Sequence, residues 1–213
     1  MAKMNNNELS DWIKCDVPGD GDCLFSAVAL GYLTSAKDDF ILFGDRFAKL
    51  FGQDKFENVD LLARVKHTIS DYNPIENSIT PISCELRELI TQDFRKKVVD
   101  YMRKNQQEFE SFIETDFEHY LDEMNKPGKW GGHLEIEAMC KMLDCTFQIH
   151  SDTIENLGAG NDLIVLFYES PEKSYTNIRN HYKYGIHRTI NTSKELDNDA
   201  QKLDPNDTNI TRE

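Results

Sequence analysis

The chain has 213 residues, enough for one domain with extensions and for a core that needs no disulfide or metal staple. Its 24 Lys and Arg stand against 38 Asp and Glu, a formal net charge of -14, which argues against nucleic acid and anionic lipid as partners and favours a basic protein surface. Five cysteines (Cys15, Cys23, Cys84, Cys140 and Cys145) form no CxxC pair and follow no secretion signal, so neither a disulfide framework nor a zinc site is expected.

The opening MAKMNNNELS is polar and expected to be flexible. After Gly21, the apolar positions Leu24, Phe25, Val28, Ala29 and Tyr32 have the spacing of a buried helix, with Gly31 as the one residue against it. Apolar-periodic stretches from Asp38 to Phe51 and from Val59 to Tyr72 predict two more helices. Ser83 is placed to cap the longest helix, which runs through Leu86, Leu89, Ile90, Phe94, Val98, Tyr101 and Met102. Phe109, Phe112, Ile113 and Phe117 suggest another. Trp130-Gly131-Gly132 then leads into an amphipathic helix from about His133 to Leu143.

Beyond this point the pattern changes. Thr146 to His150 and Leu163 to Tyr168 are β-prone runs, expected as neighbouring strands separated by a loop with Gly158 and Gly160, and a third short strand is expected around His181 to Arg188. Helices first and strands later predict an α+β fold with a small central β-sheet packed between helical layers. The run Leu163 to Tyr168 is far too short to cross a bilayer, so no membrane association is expected. Asn191 to Glu213 reads as a polar, acidic tail.

The sharpest local feature is Pro18-Gly19-Asp20-Gly21-Asp22-Cys23-Leu24-Phe25, a turn that delivers one cysteine to the first turn of an apolar helix. Free N–H groups at a helix start stabilise a thiolate, so a lowered thiol pKa is expected. The same groups can receive the oxyanion formed when sulfur attacks a carbonyl. Such a nucleophile needs a base, and histidine fills that role at neutral pH. Of the six histidines, His67 and His119 fall in charged helical surroundings and His133 at a helix start. His150, His181 and His187 lie on or beside strands, and spacing alone does not choose among these three. No glycine-rich phosphate cradle or clustered metal ligands occur, so no cofactor is expected.

DGDCLF at Asp20–Phe25, WGGHLEIEAM at Trp130–Met139 and NHYKYGI at Asn180–Ile186 together resemble the blocks of OTU (ovarian tumour) cysteine proteases, in the family's order and rough spacing. The resemblance implies an OTU-like cysteine peptidase fold and a thiol isopeptidase that acts on ubiquitin or polyubiquitin. Residues 11–190 would be its catalytic domain, with a helical region at 38–126 that could hold a ubiquitin, between a flexible 1–10 and the tail 191–213. It makes Cys23 the nucleophile and His181 the base. Asp20 joins the catalytic set, and Asp20, Gly21 and Cys23 form the oxyanion hole. Trp130, Gly131 and Gly132 line the channel for the substrate tail.

One position departs from the family pattern. Many members carry Asp or Asn two residues after the histidine, where it accepts the Nδ1 proton, whereas this chain has Lys183. Asn180, Asp16 and Asn177 are the candidates to orient the base instead. On this reading a Lys183→Asp change restores the usual acceptor and leaves cleavage largely intact. Two other readings stay open: a weak or inactive OTU-fold module that binds ubiquitin, and a thiol protease for a ubiquitin-like modifier. The expected location is the cytoplasm, or a host cytosol for a secreted effector.

Overall fold

A computed structural model describes residues 11–72, 82–170 and 181–187. The expected flexible opening 1–10 and the tail 191–213 lie outside these residues. Helix α1 (Cys23–Thr34) has every one of its residues buried, which is why its sequence is apolar on all sides rather than on one stripe. Gly31 has its reason here: a Cβ at that position would stand 3.3 Å from the Tyr184 Cβ and 3.4 Å from the Ile164 Cγ2. A helix glycine costs about 1 kcal/mol in propensity, and this one lets α1 lie close against the sheet.

The sheet has five strands: β1 (Trp12–Cys15), β2 (Cys145–His150), β3 (Ile154–Leu157), β4 (Asp162–Glu169) and β5 (His181–His187), in the order β1-β5-β4-β2-β3. The neighbours β2 and β4 run parallel, as Phe147 pairs with Ile164, and the other ladders are antiparallel. Across four strands the register aligns Cys15, Tyr184, Leu166 and Ile149, all of them in the core that α1 covers. One residue along, the opposite face aligns Lys183, Phe167 and His150, with the Lys14 ammonium 4.7 Å from the Phe167 ring centroid. These helices and one mixed sheet make the expected α+β class.

The remaining helices are α2 (Phe40–Phe51), α3 (Gln53–Phe56), α4 (Val59–Ser70), α5 (Cys84–Glu88), α6 (Arg95–Lys104), α7 (Gln106–Phe109), α8 (Phe117–Met124) and α9 (His133–Leu143). Ser83 caps α5 as expected, accepting from the Leu86 N–H at 3.2 Å. A π-helical segment (Leu89–Phe94) joins α5 to α6, so the longest expected helix is continuous but widened midway. The helix suggested around Phe109 to Phe117 is broken. Phe109 is buried at the end of α7, Phe112 is exposed, and Asp116 starts α8 by accepting from the His119 N–H at 2.8 Å. Along α2, Phe43, Phe47 and Phe51 enter the core while Phe40 stays exposed.

Arg95 is the largest fully buried side chain, and it ties the helical half to the turn before Cys23. Its guanidinium pairs with the Asp22 carboxylate and donates to the carbonyls of Met124 at 2.8 Å and Lys129 at 2.9 Å. The guanidinium carbon also lies 4.0 Å from the Phe25 ring centroid. Asp22 in turn accepts from the Gly128 N–H at 2.9 and 3.0 Å. The two segments approach so closely that Gly21, with φ +88°, has no room for a side chain: a Cβ would stand 1.9 Å from the Gly128 carbonyl oxygen.

Arg95→Met leaves the buried Asp22 carboxylate without its cation and should cost about 3–5 kcal/mol of stability. Chemical denaturation measures the loss. A change below about 1 kcal/mol would show that the pair carries little of the fold.

Candidate active site

The ladder that pairs Cys15 with Tyr184 brings the next residue, Asp16, beside the head of β5. There the Nε2–H of His181 donates to Asp16 Oδ1 at 2.6 Å, and Oδ1 also accepts from the Val17 N–H at 2.9 Å. A carboxylate can only accept, so in the neutral ring the proton sits on Nε2 and Nδ1 carries a lone pair. A Cβ built on Gly19 would stand 3.7 Å from Nδ1, which places that edge of the ring against the loop leading to Cys23. His181 is 7% exposed, so its orientation is held by protein rather than by water.

Cys23 is the first residue of α1, and the main-chain N–H groups of Tyr182, Leu24 and its own residue bear on its sulfur, favouring the thiolate. Tyr182 follows His181 directly, so sulfur and imidazole are carried by touching segments. The expected low thiol pKa is not what results. Burial pushes the Cys23 thiol up, the Asp20 carboxylate adds to the rise, and the three N–H groups offset only part of it. Burial thus favours the thiol over the thiolate.

Asp20 is engaged on both oxygens. Oδ1 accepts from the Asp22 N–H at 3.0 Å and Oδ2 pairs with Arg87 at 2.5 Å, so its side chain builds the turn and fastens it to α5. The first helical bond of α1 runs from the Ser26 N–H to the Asp22 carbonyl. The Cys23 and Leu24 N–H groups therefore have no acceptor within the helix. The Trp130–Gly132 segment crosses the same turn: a Cβ on Gly131 would stand 2.8 Å from Leu24 and 3.1 Å from Phe25. Glu135 steadies that segment, accepting from the Gly132 N–H and the Tyr120 hydroxyl, each at 2.7 Å.

Comparison with known families matches residues 72–188 to the family described as OTU-like cysteine protease. The chain belongs to this family. Cys23 lies before the matched stretch, and His181 lies within it. Among curated relatives, a human protein named UDP-N-acetylglucosamine transferase subunit ALG13 is 41% identical over 58 residues, or 27% of this chain and 5% of that protein. Mouse OTU domain-containing protein 4 is 37% identical over 60 residues, or 28% of this chain and again 5% of the relative. An Arabidopsis thaliana protein named OVARIAN TUMOR DOMAIN-containing deubiquitinating enzyme 4 is 27% identical over 151 residues, 70% of this chain and 35% of that protein. Among solved structures, a complex of OTUB1 with ubiquitin aldehyde and UBC13~Ub aligns with TM-score 0.51 at 16% identity. It covers 80% of this chain and 75% of its own and shares the fold.

Of the three candidates to orient the histidine, Asp16 is at the ring, while Asn177 and Asn180 lie outside the described residues. Asp16 engages Nε2, not the Nδ1 expected from the family pattern, because it reaches the ring from the neighbouring strand. His67 and His119 are exposed on helices and His133 is exposed at the start of α9. His150 is buried beside Phe167, on the sheet face away from α1. Cys15, Cys140 and Cys145 are buried, whereas Cys84 is exposed at the head of α5. Among the described residues no group of three His, Cys, Asp or Glu side chains is arranged to hold a metal ion, and no helix is long and apolar enough to cross a membrane. Sequence reasoning missed Arg95, Asp22 and Glu135, whose charges read as solvent-facing until burial is known.

Asp20→Asn keeps an acceptor for the Asp22 N–H and removes the negative charge that disfavours the thiolate. Alkylation of Cys23 by iodoacetamide should therefore show its pH–rate midpoint moved to lower pH in this variant. An unmoved midpoint would mean that burial alone sets the thiol.

Proposed function

We propose that the chain is a cysteine-type deubiquitinase that hydrolyses isopeptide bonds between the C-terminus of ubiquitin and lysine. His181 Nδ1 takes the thiol proton as Cys23 Sγ attacks the carbonyl carbon of the terminal glycine. The Cys23 N–H, with the main chain of Asp20 and Gly21, receives the oxyanion. His181 then gives its proton to the departing lysine amine, leaving a thioester. Water, deprotonated by the same imidazole, releases the acyl group and restores the thiol. Asp16 holds the ring in the tautomer whose lone pair is on Nδ1 and stabilises the imidazolium between the two transfers.

The observation that carries this reading is the Asp16–His181 hydrogen bond. It commits Nε2 and turns Nδ1 toward the loop of a cysteine whose thiolate the main chain of the next residue of β5 favours. Family membership supports it, as do the deubiquitinating enzyme named among the relatives and the ubiquitin aldehyde bound in the OTUB1 complex. The net charge of -14 suits a basic protein partner, chiefly through encounter rate. Trp130, Gly131 and Gly132, of which Gly131 lies against the first turn of α1, would guide the substrate tail. The free thiols suit a reducing cytosol, of its own cell or of a host.

Ubiquitin bearing a C-terminal electrophile should label the parent rapidly and Cys23→Ala not at all. Turnover should fall about 10³-fold or more in His181→Ala and at least about tenfold in Asp16→Asn. His150→Ala and His187→Ala should retain most of it. Tight reversible binding without labelling would instead establish a ubiquitin-binding module, and labelling only by a ubiquitin-like relative would redirect the substrate.

A further inference from the structure

On a pleated strand, residues two apart share a face, so position 183 has a fixed relation to the imidazole at position 181. The register sets what surrounds it. Glu169 on β4 pairs with His181, and Asp16 follows Cys15, whose partner is Tyr184, so Asp16 comes up across from Lys183. The Lys183 ammonium thus stands between two carboxylates, 3.1 Å from Glu169 Oε1 and 3.7 Å from Asp16 Oδ2. Asp16 divides its oxygens: Oδ1 takes the His181 Nε2–H, and Oδ2 faces the lysine.

We propose that Lys183 is a positioning residue that acts through Asp16, holding Oδ2 so that Oδ1 stays turned to His181. This rests on the reading of Cys23 and His181 given above. The place where many OTU proteases carry the acceptor is here occupied by a cation, and the acceptor has moved to the adjacent strand. The reversal of sign has a physical requirement. Two carboxylates already flank the site, so a third at position 183 would repel both, whereas a cation gathers them. The side chains of Lys183 and Asp16 are 20% and 30% exposed, partly withdrawn from the screening that empties surface ion pairs of effect. Glu169 fixes the lysine from the other side. A Lys183→Asp change therefore disrupts the arrangement, in contrast to the tolerance expected from the family pattern alone.

Two measurements test the assignment. In the full chain, turnover of a fluorogenic ubiquitin C-terminal amide should fall about tenfold in kcat in Lys183→Met with KM within about twofold, since the loss is one of orientation. Lys183→Arg should recover most of the rate, and Lys183→Asp should lose at least as much as Lys183→Met. Combined with Asp16→Asn, Lys183→Met should cost little more, because both act through one hydrogen bond. An undiminished cost in the Asp16→Asn background, or parent-like kcat in both Lys183→Met and Lys183→Asp, overturns the proposal.

The second measurement needs no turnover. In the Cys23→Ala chain, ¹⁵N resonances of His181 should report the Nε2–H tautomer, retained by Lys183→Arg and weakened by Lys183→Met. The same tautomer preference in all three chains overturns the proposal. If the parent is not labelled by ubiquitin electrophile, the functional reading fails, whereas the tautomer still judges the role of Lys183.

Discussion

The buried pair of Arg95 and Asp22 is the constraint on which the site depends. An arginine withdrawn completely from water must have its charge matched, and Arg95 finds its counter-charge in the turn before Cys23 and acceptors for its two terminal nitrogens there and in the carbonyls of Met124 and Lys129. One side chain thereby fixes the start of α1 relative to α6 and to the loop that runs into Trp130. Gly21 and Gly128 meet backbone to backbone beside it, a contact that admits no Cβ. The first turn of α1 is thus held from three directions, and its unsatisfied N–H groups keep a set direction.

The second constraint lies across the sheet. Cys23 comes from the helix, while the imidazole, its acceptor and the lysine come from β5 and the segment after β1. Because β1 and β5 are neighbours, residues remote in sequence meet at one end of the ladder. Ladder hydrogen bonds position main chain well, which is why a strand can hold an imidazole by a single 2.6 Å bond from its neighbour. The raised thiol pKa fits the same picture. Burial disfavours the Cys23 thiolate, and in the proposed mechanism its reactivity depends on His181.

The sequence made legible what local pattern controls. Apolar periodicity placed α1, α2, α4, α9 and the long helical stretch after Ser83, and β-prone runs placed β2, β4 and β5. The short edge strands β1 and β3 escaped notice: each has four residues, and Lys14 or Glu155-Asn156 interrupts its alternation. In the candidate site, the DGDC turn drew attention to Cys23, whereas His181 needed the family blocks and Asp16 was one name among three. What could not be read was burial. Arg95 on an amphipathic helix looks solvated, Gly31 looks like a defect, and Cys23 at a helix start looks acidic until desolvation is added.

The position of β5 in the sheet carries a consequence for how the protein comes into being. Synthesised after every other described strand, β5 must slide between β1, the first of them in the chain, and β4, and until it does neither has its full set of partners. Closing a loop from residue 16 to residue 181 belongs to the slow, non-local class of folding events. Cys23 is therefore synthesised long before His181, and the two are brought together only once β5 has joined the sheet.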